Sequence, residues 1–248
     1  MVEETKKPKI SIRLAEIGEL TNSLKIVKEL VHEVNLKIDS DGLNIVAMDP
    51  ANVVMLSYKI KSAAFTELNC ETPGQFGVDL TKLLPILKRI GSKEMTNIEF
   101  GDQILITTTG DRNKEFTCPV LEDVDNEKKM PPLEFKAKLK ATSKQIEESI
   151  LDIALASASV KFKAEKDKIS IFGKGDIQSV KVDFKTDMTV EGSEESKYSL
   201  EYLQKVMKAS KLSDDVTIEF SHEYPMRFTF SSGNVELQAI LAPMVEND

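Results

Sequence analysis

The sequence predicts an α+β protein built from two copies of one unit, and two observations indicate this class. Residues 83–100 read LLPILKRIGSKEMTNIEF, and residues 203–220 read LQKVMKASKLSDDVTIEF, 120 positions later. Most of the remaining sequence alternates between apolar and polar residues and breaks at D-G, G-D, K-D and S-G turns, which is typical of short antiparallel strands. The repeat is the stronger observation, because it fixes the architecture before any single motif is weighed.

Two helices are predicted in the first half. Apolar residues recur every three or four positions over 15–34, which indicates one buried helical face. A second helix is predicted after Asp79, a good N-cap, and ends at Gly91. Pro85 lies inside it and should bend it, because proline has no N–H to donate to the preceding turn.

The second half repeats this arrangement, with helices over 142–157 and 199–210, each opened by a Ser or Thr cap. Strands of five to seven residues are predicted within 35–49, 52–60, 96–120, 159–184 and 215–243. Two amphipathic helices beside antiparallel strands must lie on one face of the sheet to bury their apolar stripes.

The predicted boundaries are a first domain at 1–118, a connecting loop at 119–132 and a second domain at 133–248. The loop reads PVLEDVDNEKKMPP, with prolines at both ends and a charged middle. Its D-x-D-N spacing is faintly similar to a calcium loop, but Lys128 stands where the sharp-turn glycine belongs and the final Glu is missing. We therefore predict no metal site.

Composition and the pattern of Cys and His residues argue against a membrane protein, a zinc or disulfide protein and an enzyme. No apolar run is long enough to cross a membrane, and the charged start does not lead into a targeting signal, so we expect a soluble intracellular protein. Cys70 and Cys118 form no zinc or disulfide pattern. His32 and His222 cannot be combined with a nucleophile into a catalytic set, so we expect no enzyme activity and no cofactor.

The net charge of −8 argues against a nucleic-acid partner unless the positive charge is concentrated on one face. Acidic residues are dense at 122–127 and 191–196, whereas the predicted helices and their ends are basic. The cations in question are Lys25, Lys28, Lys82, Lys88, Arg89, Lys93, Lys144, Lys205, Lys208 and Lys211. They form either a basic face on an acidic body or ordinary solvated helix faces.

Several motifs in order carry a family resemblance over about residues 10–246. They are the two-fold repeat, VAMDPANVVMLSYKI at 46–60, GVDLTKLLPILKRI at 77–90, the proline-containing connector and the terminal LQAILAPMVEND. Together they resemble the DNA sliding clamp family of proliferating cell nuclear antigen, in its archaeal form. The resemblance implies a ring trimer of two-domain subunits, with β-sheets outside and two α-helices per domain on the inner face around duplex DNA.

The resemblance implies that the basic helices contact DNA phosphates without reading bases. Lys28, Lys88, Arg89 and Lys208 are the best candidates, ahead of Lys25, Lys82, Lys93, Lys205 and Lys211. The third helix departs from the family pattern, because it carries Glu147, Glu148 and Leu151 and leaves Lys144 as its sole cation. Pro85 likewise stands where the family often has a lysine.

The resemblance also implies that an edge strand of the first domain pairs with an edge strand of the second domain on the next subunit. The matching residues are Asn113, Lys114, Glu115, Phe116, Thr117 and Cys118 on one side, and Ile177, Gln178, Ser179, Val180, Lys181 and Val182 on the other. Sequence alone leaves open that these are ordinary interior strands.

A pocket for partner peptides is implied beneath the connector, where a single helical turn would insert one aliphatic and one or two aromatic residues. The matching residues are Met48, Val53, Met55, Met130, Pro131, Pro225, Ile240, Ala242 and Pro243. Methionine suits a surface that accepts many peptides, although such residues also fill ordinary cores. Met244 replaces the usual basic residue of the tail, and we expect strand-like pairing with a peptide to survive.

The function implied is a DNA polymerase processivity factor. Its expected partners are duplex DNA, a DNA polymerase, flap endonuclease, DNA ligase and an ATP-dependent clamp loader, with its own or related subunits in the trimer and no membrane. The expected location is the cytoplasm, at the nucleoid, for an archaeal source and the nucleus for a eukaryotic one. The alternative is a ring-forming or monomeric scaffold that does not bind DNA directly.

Overall fold

The computed structural model describes residues 10–122, 124, 128–166 and 168–244. The charged head, part of the connector and the last four residues lie outside this range. The calcium-like spacing at Asp123, Asp125 and Asn126 also lies outside the described residues.

Strands and helices follow the same order in both halves of the chain. The first half contains β1 (Ile10–Leu14), α1 (Gly18–Leu30), β2 (Glu33–Asp39), β3 (Gly42–Met48), β4 (Val54–Lys61), β5 (Glu67–Asn69), β6 (Gly74–Asp79), α2 (Leu80–Leu87), β7 (Met95–Phe100), β8 (Gln103–Thr109) and β9 (Lys114–Pro119). The second contains β10 (Ala137–Thr142), α3 (Ser143–Ile153), β11 (Ser159–Glu165), β12 (Lys168–Lys174), β13 (Ser179–Lys185), β14 (Asp187–Val190), β15 (Ser193–Ser199), α4 (Leu200–Val206), β16 (Asp215–Phe220), β17 (Met226–Ser232) and β18 (Val235–Leu241). A 3-10 helix, Met207–Lys211, directly continues α4.

The chain divides into two compact units. The first comprises 1–47, 57–129 and 233–235, and the second comprises 48–56, 130–232 and 236–248. In the first half the strand orders are β5-β1-β7-β8-β9 and β4-β3-β2-β6. In the second half they are β14-β10-β16-β17-β18 and β13-β12-β11-β15. Adding nine to each strand number of the first half gives the second, so the repeat predicted from sequence is a repeat of topology.

The same correspondence makes β18 the counterpart of β9 and β4 the counterpart of β13. Within the second unit the N–H of Ala242 donates to the carbonyl of Val53 at 2.9 Å, and within the first unit the N–H of Lys61 donates to the carbonyl of Asn234 at 2.9 Å. Both bonds fit one antiparallel register between β4 and β18.

Local sequence explains how these elements form. In β1, Ile10, Ile12 and Leu14 are buried while Ser11 and Arg13 between them are more exposed, as the two-residue period of a strand requires. At the predicted D-G turn between β2 and β3, Gly42 has a φ of +142°, and a side chain there would collide with the carbonyl oxygen of Ile60.

Most predicted helix starts are confirmed. Asp79 caps α2 by accepting the N–H of Thr81 at 2.8 Å, and Thr142 caps α3 by accepting the N–H of Gln145 at 3.2 Å. Ser199 is the N-cap residue of α4, but its side chain makes no capping hydrogen bond.

The predicted helix ends are partly wrong. The apolar spacing over 15–34 runs past the end of α1, because Val34 belongs to β2. Helix α2 ends at Leu87, two residues after Pro85, so Lys88 and Arg89 lie in a turn beyond it. Each half also begins with a strand that lies outside the predicted strand ranges, since β1 and β10 precede α1 and α3.

Candidate nucleic-acid interface, strand edges and partner pocket

The helices of each half pack in pairs, α1 with α2 and α3 with α4. In α1 the residues Leu20, Leu24 and Val27 are buried, while Lys25 and Lys28 are partly exposed. Helix α1 therefore buries its apolar face and leaves both lysines accessible to solvent.

The four best candidate cations are all available for a ligand. In the part of the chain that the structure describes, six of the ten candidates have neither an ion pair nor a side-chain hydrogen bond: Lys28, Lys88, Arg89, Lys93, Lys208 and Lys211. All of these except the partly exposed Lys28 are exposed. A phosphate could bind there without first displacing a carboxylate.

The remaining candidates have local partners. Lys82 pairs with Asp79 at 3.5 Å, Lys144 with Glu148 at 3.7 Å and Lys205 with Glu201 at 2.7 Å, while Lys25 donates to Asn22 at 3.1 Å. Exposed pairs of this kind contribute only about 0–1 kcal/mol each, so a phosphate could compete for them.

Helix α3 is the most acidic of the four α-helices described and carries one cation, Lys144. Glu148 holds the only cation of the helix, and the carboxylate of Glu147 accepts a hydrogen bond from Ser210 at 2.8 Å. Leu151 is 52% exposed. A cleft of about 350 Å³ between α3 and α4 is lined by both acids and bases, including Glu147, Glu201, Lys205 and Lys208.

Sequence reasoning missed the hydrogen bonds that hold the turn after α2. The Nζ of Lys114 on β9 donates to the carbonyl of Arg89 at 3.1 Å and to the carboxylate of Glu94 at 2.7 and 2.9 Å. Glu94 also accepts the N–H of Gly91 at 3.1 Å. The hydrogen bond from Lys114 is the main cause that lowers the pKa of Glu94. This cluster fixes the backbone that carries Lys88 and Arg89.

Both candidate interface strands lie at sheet edges. Among the strands that the structure describes, β9 pairs with β8 alone and β13 with β12 alone. The structure shifts the strands relative to the predicted segments, because β9 begins at Lys114 and β13 at Ser179, so Asn113, Ile177 and Gln178 precede them. Ile177 is 95% exposed, the highest value among the exposed large apolar residues described.

Two other edges are covered by the chain itself. The carbonyl of Gly77 on β6 accepts the N–H of Leu121 at 2.8 Å. On β15 the carbonyl of Lys197 accepts the N–H of Met244 at 2.8 Å, and that of Glu195 accepts the N–H of Glu223 at 3.2 Å. Uncovered edges invite another strand, so β9 and β13 are the longer edges left for pairing in the described residues.

The edge strand β13 carries a charged side chain, that of Asp183, which three neighbouring side chains hold in place. Asp183 accepts a hydrogen bond from Ser170 at 2.5 Å and pairs with Lys168 at 3.1 Å and Lys181 at 3.2 Å. The Ser170 hydroxyl is the main cause that lowers the pKa of Asp183 to about 2. Asp183 therefore stays ionised even in mildly acidic solution and keeps its ion pairs with both lysines.

The candidate pocket residues all belong to the second unit. Val53 and Ala242 are joined by the 2.9 Å backbone hydrogen bond described above. Met55 and Ile240 are buried, at 8% and 7% exposure, so little of either side chain is accessible to a partner. The other candidates are at least partly exposed: Met48, Val53, Met130, Pro131, Pro225, Ala242 and Pro243. Within the described residues no hydrogen bond joins Met130 or Pro131 to Val53.

Sequence reasoning also missed Asp49, which is 4% exposed and lies in the turn before Val53. Its carboxylate accepts backbone N–H groups from Ala51, Val53 and Val54 at 2.6–3.0 Å, and the hydroxyl of Tyr202 at 2.9 Å. The D-P-A-N sequence at 49–52 was a signal for the turn, because Asp commonly accepts hydrogen bonds from the N–H groups that follow it. The same four residues gave no indication that Tyr202 donates a hydrogen bond to Asp49.

Two features are absent from the residues that the structure describes. They contain no group of three or more His, Cys, Asp or Glu side chains that could hold a metal ion. None of their helices is both long enough and apolar enough to cross a membrane.

Comparisons with known proteins agree over nearly the whole chain. The family model described as the N-terminal domain of proliferating cell nuclear antigen matches residues 10–128, and the model of its C-terminal domain matches 129–245. The chain is 29% identical over 237 residues to a DNA polymerase sliding clamp of Thermococcus gammatolerans, covering 92% of this chain and 95% of that one. It is 28% identical to the sliding clamp of Pyrococcus furiosus, with the same coverage.

A solved structure has the same fold. The crystal structure of proliferating cellular nuclear antigen from Entamoeba histolytica superimposes with a TM-score of 0.88 at 19% identity, covering 95% of this chain and 99% of that one. At this level of identity the likeness concerns the fold alone.

Proposed function

Because this chain belongs to the proliferating cell nuclear antigen family, we propose that it is a DNA polymerase sliding clamp, a ring that encircles duplex DNA and tethers enzymes to it. The observation that carries the proposal is the match to both domains of the family, over 10–128 and 129–245. DNA, a polymerase and a trimeric ring are what this family implies. The role is that of a tether, which requires binding surfaces and no catalytic group.

The DNA surface we propose consists of the six unpaired cations on the first helix, after the second helix and on the 3-10 helix. Cations that neutralise phosphates release counterions from DNA, and this gain does not depend on sequence. A ring that slides needs such interactions, since base contacts would hold it at one site. Helix α3 contributes least, so in our proposal phosphate binding concentrates on α1, the segment after α2 and the 3-10 helix.

The ring closes, in our proposal, by pairing β9 of one subunit with β13 of the next, in three copies of the chain. The repeat supports this pairing. β18 already lies beside β4 in the fold, and these strands are the counterparts of β9 and β13. Because β9 and β13 are uncovered and are the counterparts of β18 and β4, β9 of one copy can pair with β13 of another copy in the same way.

Partner enzymes dock, in our proposal, through short peptides in a pocket around Val53, Ala242 and Pro243. Flap endonuclease, DNA ligase and the clamp loader are proposed partners besides the polymerase. Since the named relatives are archaeal, we place the protein at the nucleoid in the cytoplasm. A scaffold that never touches DNA is the less favoured alternative, because it gives no role to unpaired cations on the helices.

Val53→Asp is expected to lower the affinity for a peptide that carries one aliphatic and two aromatic residues in a single helical turn by more than about tenfold, because it places a charge in an apolar contact. Fluorescence anisotropy with a labelled synthetic peptide measures this. Ala51→Asp is the matched control, since Ala51 is exposed in the same turn. Equal losses in both variants would contradict the pocket.

The proposed function itself is tested on circular and linear DNA. After loading by an archaeal ATP-dependent loader, the protein is expected to remain on nicked circular DNA through gel filtration in moderate salt. It is expected to leave once a restriction enzyme linearises the circle, because a threaded ring can slide off an open end. Linear DNA with bulky blocks at both ends is the control and should retain the ring. Elution apart from all three DNAs would support the scaffold instead.

A further inference from the structure

The turn between β3 and β4 is organised by one buried carboxylate. Oδ1 of Asp49 accepts the N–H groups of Val53 at 2.7 Å and Val54 at 2.6 Å, and Oδ2 accepts that of Ala51 at 3.0 Å. Asn52 within this turn has a φ of 57°, which non-glycine residues adopt infrequently. The turn therefore depends on Asp49 to keep its shape.

The fourth hydrogen bond to Asp49 comes from a distant part of the sequence. The hydroxyl of Tyr202 on α4 donates to Oδ2 of Asp49 at 2.9 Å. Burial raises the pKa of Tyr202, and the neighbouring Asp49 raises it further, so the hydroxyl stays protonated and remains a donor. A hydrogen bond to a charged acceptor is stronger than one between neutral groups.

The same tyrosine is in contact with a cation of its own helix. The Nζ of Lys205 lies 4.9 Å from the centre of the Tyr202 ring and 2.7 Å from the carboxylate of Glu201. These interactions hold the ring from the helix side while Asp49 holds its hydroxyl. The Tyr202 side chain is therefore restrained at its ring and at its hydroxyl, and it stays in contact with the turn between β3 and β4.

We propose that Tyr202 is a positioning residue for the partner-peptide pocket, acting through Asp49 on Val53. The inference rests on the proposed function, because the pocket itself is part of that proposal. Val53 receives a hydrogen bond from Ala242 through its carbonyl and donates its N–H to Asp49. Asp49 thus fixes the backbone of Val53, which is in turn hydrogen-bonded to Ala242. In this way Asp49 helps to position both backbone segments that border the proposed pocket.

Tyr202→Phe removes one oxygen and leaves the ring under Lys205. It is expected to weaken peptide binding about tenfold, because a pocket that must be ordered on binding loses affinity relative to a preorganised one. Anisotropy with the same labelled peptide gives the affinity. Hydrogen exchange of the Val53 and Val54 amides, measured by NMR without peptide, is expected to accelerate at least about fivefold in the variant.

Tyr58→Phe is the matched control. It likewise removes one hydrogen-bonded hydroxyl, which is 2.7 Å from the hydroxyl of Ser23 in the first unit and is more deeply buried than that of Tyr202. It is expected to lower stability but to leave peptide affinity within about twofold of the wild type. A double-mutant cycle with Asp49→Asn provides a readout that general destabilisation would not change, since the Tyr202 effect should largely disappear when Asp49 is altered.

The outcomes separate the two proposals. If the wild-type chain binds the peptide and Tyr202→Phe binds equally well, the positioning role is overturned and the pocket stands. If Tyr58→Phe weakens binding as much as Tyr202→Phe, the effect is general destabilisation and the positioning role is also overturned. If the wild-type chain does not bind the peptide, the pocket fails and the inference fails with it.

Discussion

Replacing Lys28, Lys88 and Lys208 by Glu is expected to reduce clamp-dependent DNA synthesis at least about tenfold, while the oligomer keeps its mass. The three side chains form no ion pair in the described part of the chain, so they are free to neutralise phosphates. Each phosphate that is no longer neutralised should also lower the slope of log affinity against log salt by about 0.9. Primer extension on a circular template at several salt concentrations measures both effects.

The matched control reverses three other lysines. Lys59, Lys61 and Lys136 are exposed and lie outside the helices, and replacing them by Glu changes the net charge equally. This variant is expected to support DNA synthesis close to the wild-type level. If both triple variants become inactive together, long-range repulsion from DNA is the cause and the assignment of the helix cations is wrong.

Ile177→Asp combined with Phe116→Asp is expected to convert the trimer into a monomer of 27.7 kDa. Ile177 is 95% exposed in the single chain, so its replacement removes no core packing, whereas Phe116 is only partly exposed and its replacement requires a check of folding. Two carboxylates placed in an interface of paired strands would be desolvated without partners, which costs several kcal/mol each. Light scattering of the purified variant gives the mass, and circular dichroism checks that it is folded.

Leu155→Asp is the control for this prediction. Leu155 is 75% exposed and lies after α3, outside both edge strands, so its replacement should leave the trimer intact. A folded double variant that still has about three times the mass of one chain would show that β9 and β13 do not form the interface. A wild-type chain that is itself monomeric would show that the ring needs other subunits.

Much of this fold could be predicted because the relevant signals are local and repeated. The match between 83–100 and 203–220 predicted two like units, and the structure repeats its strand order in both. Asp79 and Thr142 cap helices through atoms only two or three residues away, so their role is visible in sequence. Buried and more exposed residues also alternate clearly in β1. Five residues were nevertheless too few to identify a strand from sequence directly before a longer helical pattern.

What could not be predicted depends on interactions between distant residues. The apolar spacing continued through Val34 because β2 buries this residue as a helix would. The α4 pattern could not distinguish the α-helix from the 3-10 helix that follows at Met207–Lys211, since the 3-10 helix also buries apolar residues, Met207 and Ala209. Asp49 and Tyr202 are 153 positions apart, and only the folded chain brings them together.

In the described residues the chain protects the edges of β6 and β15 and leaves β9 and β13 as the longer open edges. In the proposed pairing of β9 with β13 the two edges belong to different halves, so the subunits join head to tail, and an assembly built this way has a direction. Every subunit then presents the same side upward. A polymerase bound to one side of the ring would always approach the DNA from that side. The ring itself would then set the direction in which the polymerase moves, without any additional feature of the binding surfaces.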